Sequence, residues 1–310
     1  MPQAEIASNG YVDLQINGYV GVDFNNPEAS AADLKKAALA MRAAGVAIAL
    51  PTLITGSIED MCRCIRNLRS VIEGEAEVAA IFRGLHLEGP FLSPVKGYIG
   101  AHPPQHALAQ DLTAMEKLLD TAGELTRIVT LAPESDPGGK MTALCVERGI
   151  VVAAGHTDTS LQQLDDCLDA GLSLFTHFGN GCPNLMHRHD NVLYRALSRV
   201  DRLRYTLIAD GFHLPELLFR NLLGWIPRER ISVVSDAISA AGLGPGTYQL
   251  AGLQIEIGPD RVPRAPSGEH FVGSACDMRD ADRWLEEVIG LSAEERRQLL
   301  TDQPRAWLGL

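Results

Sequence analysis

Glu88, His156, His177 and Asp236 each stand just past a short apolar run, and the four runs are spread over about half of the chain. Residues 81–87 lead into Glu88, 151–155 into His156, 172–176 into His177 and 231–235 into Asp236. Two imidazoles and a carboxylate on three rigid strand ends, with room left for water, are the ligand types of a catalytic metal site. Two nitrogens and an oxygen suit one zinc ion, and also iron, manganese or cobalt. Any one of these histidines alone would pass as a hydrogen-bonded core residue. Glu88 changes the weighing, because a carboxylate set in Leu87-Glu88-Gly89-Pro90 is costly to bury unless charge-paired or metal-bound. Asp236, left free beside such a metal, has the chemistry of a general base that then acts as an acid. Taken alone it would read as a helix N-cap.

Further polar residues gather around these four. His86 precedes Glu88 by two positions and so shares its strand face. It is a fourth ligand, a support for the ligands, or an interior packing residue. Gln15 and Asn17 share a face at the end of the first run and suit hydrogen bonding at a rim; they are poor zinc ligands beside histidine. His102 on the loop after the third run and His213 after the seventh are substrate contacts or surface histidines. Asn180-Gly181 and Arg188 follow His177 on a long loop. Backbone N–H groups at a glycine and a guanidinium can hold a phosphate. His187-Arg188-His189-Asp190 reads as a solvated polar loop rather than a second metal site.

Eight strand-like runs must position these groups, near residues 14, 48, 85, 129, 152, 174, 207 and 233. Helical periodicity covers residues 31–44, 58–73, 112–122, 140–148, 160–170, 192–200 and 215–223. Strands alternating with helices predict a parallel sheet with crossover connections. Eight such units in a chain of 310 residues predict an α/β fold of the (β/α)8 TIM-barrel type, in which active residues sit at the C-terminal strand ends. A doubly wound open sheet is the rival. The first strand is expected to end at Asn17-Gly18 and the second at Pro51. A β-hairpin insertion is expected over 247–262 and terminal helices over 280–310. No repeat or linker marks a second domain, so residues 1–310 read as one catalytic barrel.

Composition narrows the function. The net charge of −12 argues against nucleic acid or an anionic membrane as partner, but leaves room for an anionic small molecule in a locally positive pocket. The first residues show no basic segment followed by an apolar core, and no apolar stretch approaches the ~20 residues that cross a bilayer. The six cysteines show no metal-binding or CxxC spacing. Reduced thiols and a cytoplasmic location are the expectation.

Several segments, taken in order, resemble the N-acetylglucosamine-6-phosphate deacetylases of the amidohydrolase superfamily. They are Val12 to Gly18, Pro51 to Thr55, Gly84 to Phe91, Lys96 to His102, Thr130 to Glu134, Gly155-His156-Thr157, Thr176 to Asn180, Ala209 to His213, Ser235-Asp236-Ala237 and Gly273-Ser274-Ala275. The resemblance implies a (β/α)8 barrel that hydrolyses an N-acetyl amino sugar 6-phosphate to acetate and the free amine. By position it implies Glu88, His156 and His177 as metal ligands, Asp236 as acid/base, and His102 as a residue polarising the acetamide carbonyl. It implies Asn180, Gly181, Arg188 and His213 as substrate and phosphate contacts, one metal because Gln15 and Asn17 replace a His-x-His pair, and a homodimer. Family members carry a small β-sandwich built from both chain ends, whereas here the first strand-like run begins near residue 11. The loop Asn180-Gly181-Cys182 with His187 to Asn191 also departs from the family pattern. A deacetylase of an unphosphorylated or different N-acyl sugar, or of another amide, is therefore the alternative substrate reading. A non-catalytic sugar-binding barrel is the alternative from another class.

Overall fold

The computed structural model describes residues 10–264 and 271–309. The expectation of no leader in the first nine residues, and the end of the terminal helices at residue 310, lie outside the described residues.

Eight strands form one sheet in chain order: β1 (Tyr11–Ile16), β2 (Val46–Ile54), β3 (Leu85–Glu88), β4 (Thr126–Leu131), β5 (Val151–Ala154), β6 (Leu174–Phe175), β7 (Arg204–Ile208) and β8 (Ile231–Val234). Each pairs in parallel with the next. The first and last strands meet just past their ends. The Asp236 amide donates to the Gln15 carbonyl at 2.9 Å, and the Asn17 amide to the Ala237 carbonyl at 2.7 Å. This sequential, closing order makes the fold a (β/α)8 barrel and excludes the open sheet.

Connecting helices cover the outside: α1 (Ala31–Ala43), α2 (Ile58–Gly74), α3 (Leu112–Ala122), α4 (Lys140–Glu147), α5 (Leu161–Asp169), α6 (Val192–Leu197) and α7 (Glu216–Trp225). Their starts are written in the sequence. Ser57 accepts the Asp60 amide at the head of α2, and Ser160 forms a capping box with Gln163 at the head of α5. In α2, Met61, Cys62, Ile65, Leu68 and Ile72 are buried against the sheet, as the helical spacing predicts.

Alternation along the strands separates two cores. Val12, Leu14, Ile48, Leu50, Ile128, Ala153, Leu174, Ile208 and Val234 fill the barrel interior, with Trp307 packed against them. Ala49, Leu53, Leu85, Leu87, Val129, Leu131, Val152 and Phe175 face the helices. Inward residues toward the C-terminal end turn polar, and Glu88 is one of them.

The structure corrects the sequence reading at three elements. Strand β2 does not stop at Pro51 but continues to Ile54. Proline removes a ladder donor, and side chains satisfy the neighbouring groups instead: the Ile16 amide donates to Thr52 Oγ1 at 3.0 Å and the Ile54 amide to Asn25 Oδ1 at 2.7 Å. Strand β6 is confined to two residues, shorter than the run 172–176. The helix expected over 280–289 is an α-helix, α8 (Met278–Trp284), that widens into a π-helical turn over Leu285–Ile289. The expected hairpin is present as β9 (Gly246–Leu250) and β10 (Leu253–Ile257). Its buried Leu250, Ile255 and Ile257 pack with Ile54, Ile238 and Val272, so it leans over the barrel mouth.

Candidate metal centre and catalytic cavity

Glu88, His156 and His177 converge at the C-terminal end of the barrel. His156 Nε2 lies 3.1 Å and His177 Nε2 2.8 Å from the same carboxylate oxygen, Glu88 Oε1, and the two nitrogens are 3.1 Å apart. All three side chains are buried. The backbone that aims them is unusual. His156, His177 and Asp236 all have positive φ, at 51°, 30° and 49°. Non-glycine residues rarely adopt this left-handed region, and it concentrates at functional sites. A residue placed there directly after a strand turns its side chain across the strand end.

The proton positions follow from the partners. His156 Nδ1 lies 2.7 Å from the Tyr98 carbonyl, which can only accept, so Nδ1 carries the proton and Nε2 presents a lone pair. That lone pair faces a carboxylate oxygen and a second imidazole nitrogen. Three electron-rich atoms in one small space suit a cation, which is the arrangement a divalent ion requires. The charge balance agrees. Burial alone would raise the Glu88 pKa, but the two histidines outweigh it and hold the carboxyl well below its ordinary value. Burial opposes a charge on His177, but Glu88 beside it raises that pKa. Both directions say that the cluster attracts positive charge. No other group of three potential ligands meets among the described residues.

His156 is also held from two sides by glycines. A Cβ on Gly181, whose φ is +58°, would lie 2.9 Å from His156 Nδ1, and one on Gly100 would lie 3.2 Å from Cε1. Gly181→Ala should therefore push the ring off the Tyr98 carbonyl. Displaced ligand support of this kind weakens metal binding by about 10- to 100-fold. Chelator competition measures it, and wild-type affinity in the variant would remove this constraint.

Asp236 lines the same cavity. Its Oδ1 accepts from Asn17 Nδ2 at 2.8 Å and Gln15 Nε2 at 3.2 Å. The rim role expected for Gln15 and Asn17 is thus to hold this carboxylate. Burial, then the charge of Glu88, pushes the Asp236 pKa up to about 6. His102 is buried beside His156, with ring centres 4.3 Å apart. Its Nδ1 meets Thr55, and its Nε2 lies 3.9 Å from Glu88 Oε1. Burial, and then the neighbouring His156, holds its pKa well below the ordinary value, so this ring is neutral.

His86 is an interior residue and not a fourth ligand. Nδ1 bonds the Leu14 carbonyl at 3.1 Å and Nε2 bonds Thr130 Oγ1 at 2.8 Å, so both nitrogens are engaged below the cluster. Burial lowers its pKa to about 4.

A cavity of about 550 Å³ opens over these groups. Asn180, Gly181 and His213 line it, as does Arg264. His213 Nδ1 is 2.7 Å from Asp210 Oδ2, which fixes the ring. Arg188 is exposed and does not line the cavity, so its phosphate role finds no support within this chain's own site. Arg264 was not singled out by sequence, because it stands in a segment without periodicity; its Nη1 donates to Asp260 Oδ2 at 2.7 Å, an exposed pair four residues apart. Asp210, three residues before His213, carried a readable signal in its i,i+3 spacing. The sequence also gave no sign of the Tyr98 carbonyl, since a backbone contact leaves no mark on residue type. No helix among the described residues is long and apolar enough to cross a membrane, and all six cysteines are free.

No family model matches the chain. The chain is 32% identical, over 98% of its length and 75% of the relative's, to an N-acetylglucosamine-6-phosphate deacetylase of Homo sapiens. It is 27% identical, over 99% of its length and 79% of the relative's, to an N-acetylgalactosamine-6-phosphate deacetylase of Escherichia coli O157:H7. Among solved structures it is similar to a mutant N-acetyl-D-glucosamine-6-phosphate deacetylase of Mycobacterium smegmatis in complex with N-acetyl-D-glucosamine-6-phosphate. The TM-score is 0.88 at 27% identity, covering 97% of this chain and 77% of that one.

Proposed function

The chain belongs to the N-acetylglucosamine-6-phosphate deacetylase family, and on that premise we propose that it hydrolyses the acetamide of N-acetylglucosamine-6-phosphate to acetate and glucosamine-6-phosphate. The observation that carries this reading is the meeting of Glu88 Oε1, His156 Nε2 and His177 Nε2 in one cavity with the carboxylate of Asp236. Glu88, His156 and His177 would hold one divalent ion, zinc by ligand type. Such an ion lowers the pKa of a bound water and polarises a carbonyl oxygen. Asp236, steadied by Gln15 and Asn17, takes the proton of the attacking water and returns it to the departing nitrogen. The neutral His102 donates a hydrogen bond to the oxygen on which charge develops.

Asn180, Gly181, His213 and Arg264 line the same cavity and would hold the sugar and its phosphate. Arg264 is the single lysine or arginine among the described residues that line the cavity. Arg264→Ala is expected to raise KM for the phosphorylated substrate by about 10-fold or more, the scale of one lost charge-assisted bond. Its effect on plain N-acetylglucosamine should be small, and Arg188→Ala should be near neutral on both. Equal losses on both substrates would remove the phosphate role from Arg264. The reading includes one catalytic unit over 1–310, a cytoplasmic location and a homodimer. Acetate release from N-acetylglucosamine-6-phosphate, its galactosamine epimer and the unphosphorylated sugars, after loading with zinc, tests the proposal. No release from any of them would overturn it.

A further inference from the structure

Strand β2 contributes no residue to the metal cluster or the acid/base, yet its extension beyond Pro51 to Ile54 brings the next residue, Thr55, directly behind His102. The Thr55 backbone N–H donates to His102 Nδ1 at 3.2 Å, and Thr55 Oγ1 lies 2.9 Å from the same nitrogen. An amide N–H can only donate, so a proton on Nδ1 would face another proton. With Nδ1 accepting from this N–H, the ring carries its proton on Nε2. Thr55 is itself fixed. It is buried, and Gly89, at φ +98°, lies so close that a Cβ there would overlap Thr55 Oγ1. The neighbouring His156 meets a carbonyl instead and carries its proton on Nδ1. Two imidazoles in ring contact thus hold opposite tautomers, one offering a lone pair and the other an N–H.

We propose that Thr55 is a positioning residue that commits His102 to donating its Nε2–H to the substrate's carbonyl oxygen, and so bars it from serving as a base or a metal ligand. The proposal rests on the amide-hydrolase reading of the site. Charge grows on the carbonyl oxygen only as the amide is attacked, so the contribution belongs to kcat more than to KM.

The primary measurement is the tautomer of His102, read from long-range ¹H–¹⁵N spectra of the full chain labelled at histidine. His102→Gln assigns the signal, and the spectra are taken with and without zinc. An unprotonated Nδ1 and a protonated Nε2 are expected; the reverse overturns the proposal. This readout needs no turnover, so it stands or falls apart from the deacetylase reading, which the acetate assay tests. In kinetics, Thr55→Val should lower kcat by about 10- to 100-fold with KM nearly unchanged. Thr55→Ser, which keeps the hydroxyl, should recover most of it. Thr55→Val keeps the backbone N–H and removes only Oγ1, so wild-type kcat there, or a Thr55→Ser variant as impaired as Thr55→Val, would reject the side chain's part in the assignment.

Discussion

Asp236→Asn should keep the bound metal and lose about 10²- to 10⁴-fold in kcat for acetate release, the usual weight of a positioned proton carrier. Asparagine matches the shape of aspartate and can still accept from Gln15 and Asn17 through its amide oxygen. What it cannot do is take a proton. The pH profile gives a second reading. With its pKa raised to about 6 by burial and then by Glu88, Asp236 is a base only above that value. The wild-type kcat/KM should thus rise with pH along a limb at or below about pH 6, a cation in the neighbouring cluster pulling it lower. That limb should vanish in the variant. Stability moves the other way. A carboxyl whose folded pKa is raised stabilises the fold fully below its unfolded value near 4, and this is lost as pH climbs through about 6. Asp236→Asn should accordingly raise Tm at neutral pH. An active variant with an unchanged profile would take Asp236 out of the mechanism.

Glu88→Ala should leave the chain without metal and bring turnover close to the uncatalysed level. Glu88 Oε1 is the atom both imidazoles approach, and it is the sole negative charge in the cluster. Without it two nitrogens 3.1 Å apart remain, too few ligands for a catalytic zinc site. Elemental analysis after dialysis reads the metal directly. Zinc added to the wild type should raise Tm by mass action, and this response should disappear in the variant. Stoichiometric metal in Glu88→Ala would move the centre elsewhere.

The fold and its centre were legible for the same reason. Alternation of apolar runs with helical spacing marks each β/α unit, and a charged or imidazole group directly after such a run has only the barrel mouth to enter. Glu88, His156, His177 and Asp236 could be found that way. His86 could be placed on the right face but not ranked, because its engagement depends on Leu14 and Thr130, distant in sequence. Thr55 was hidden by Pro51, which ends most strands; here Thr52 and Asn25 side chains replace the missing ladder bonds. Arg188 and Arg264 show the weakest point of the reading. Residue type marks a possible phosphate contact, but loop geometry decides which arginine reaches the cavity.

The left-handed backbone at His156, His177 and Asp236 has a consequence for anyone breeding or building such a protein. Glycine relieves that conformation of about 1 kcal/mol or more at each position. A selection for heat resistance that ignores turnover would therefore drift toward glycine at these three codons and deliver sturdier, inert barrels. A designer grafting this chemistry onto another scaffold faces the converse demand: the chain must be made to swivel at each of the three exits, since the side chains alone, on ordinary strand ends, would point past one another.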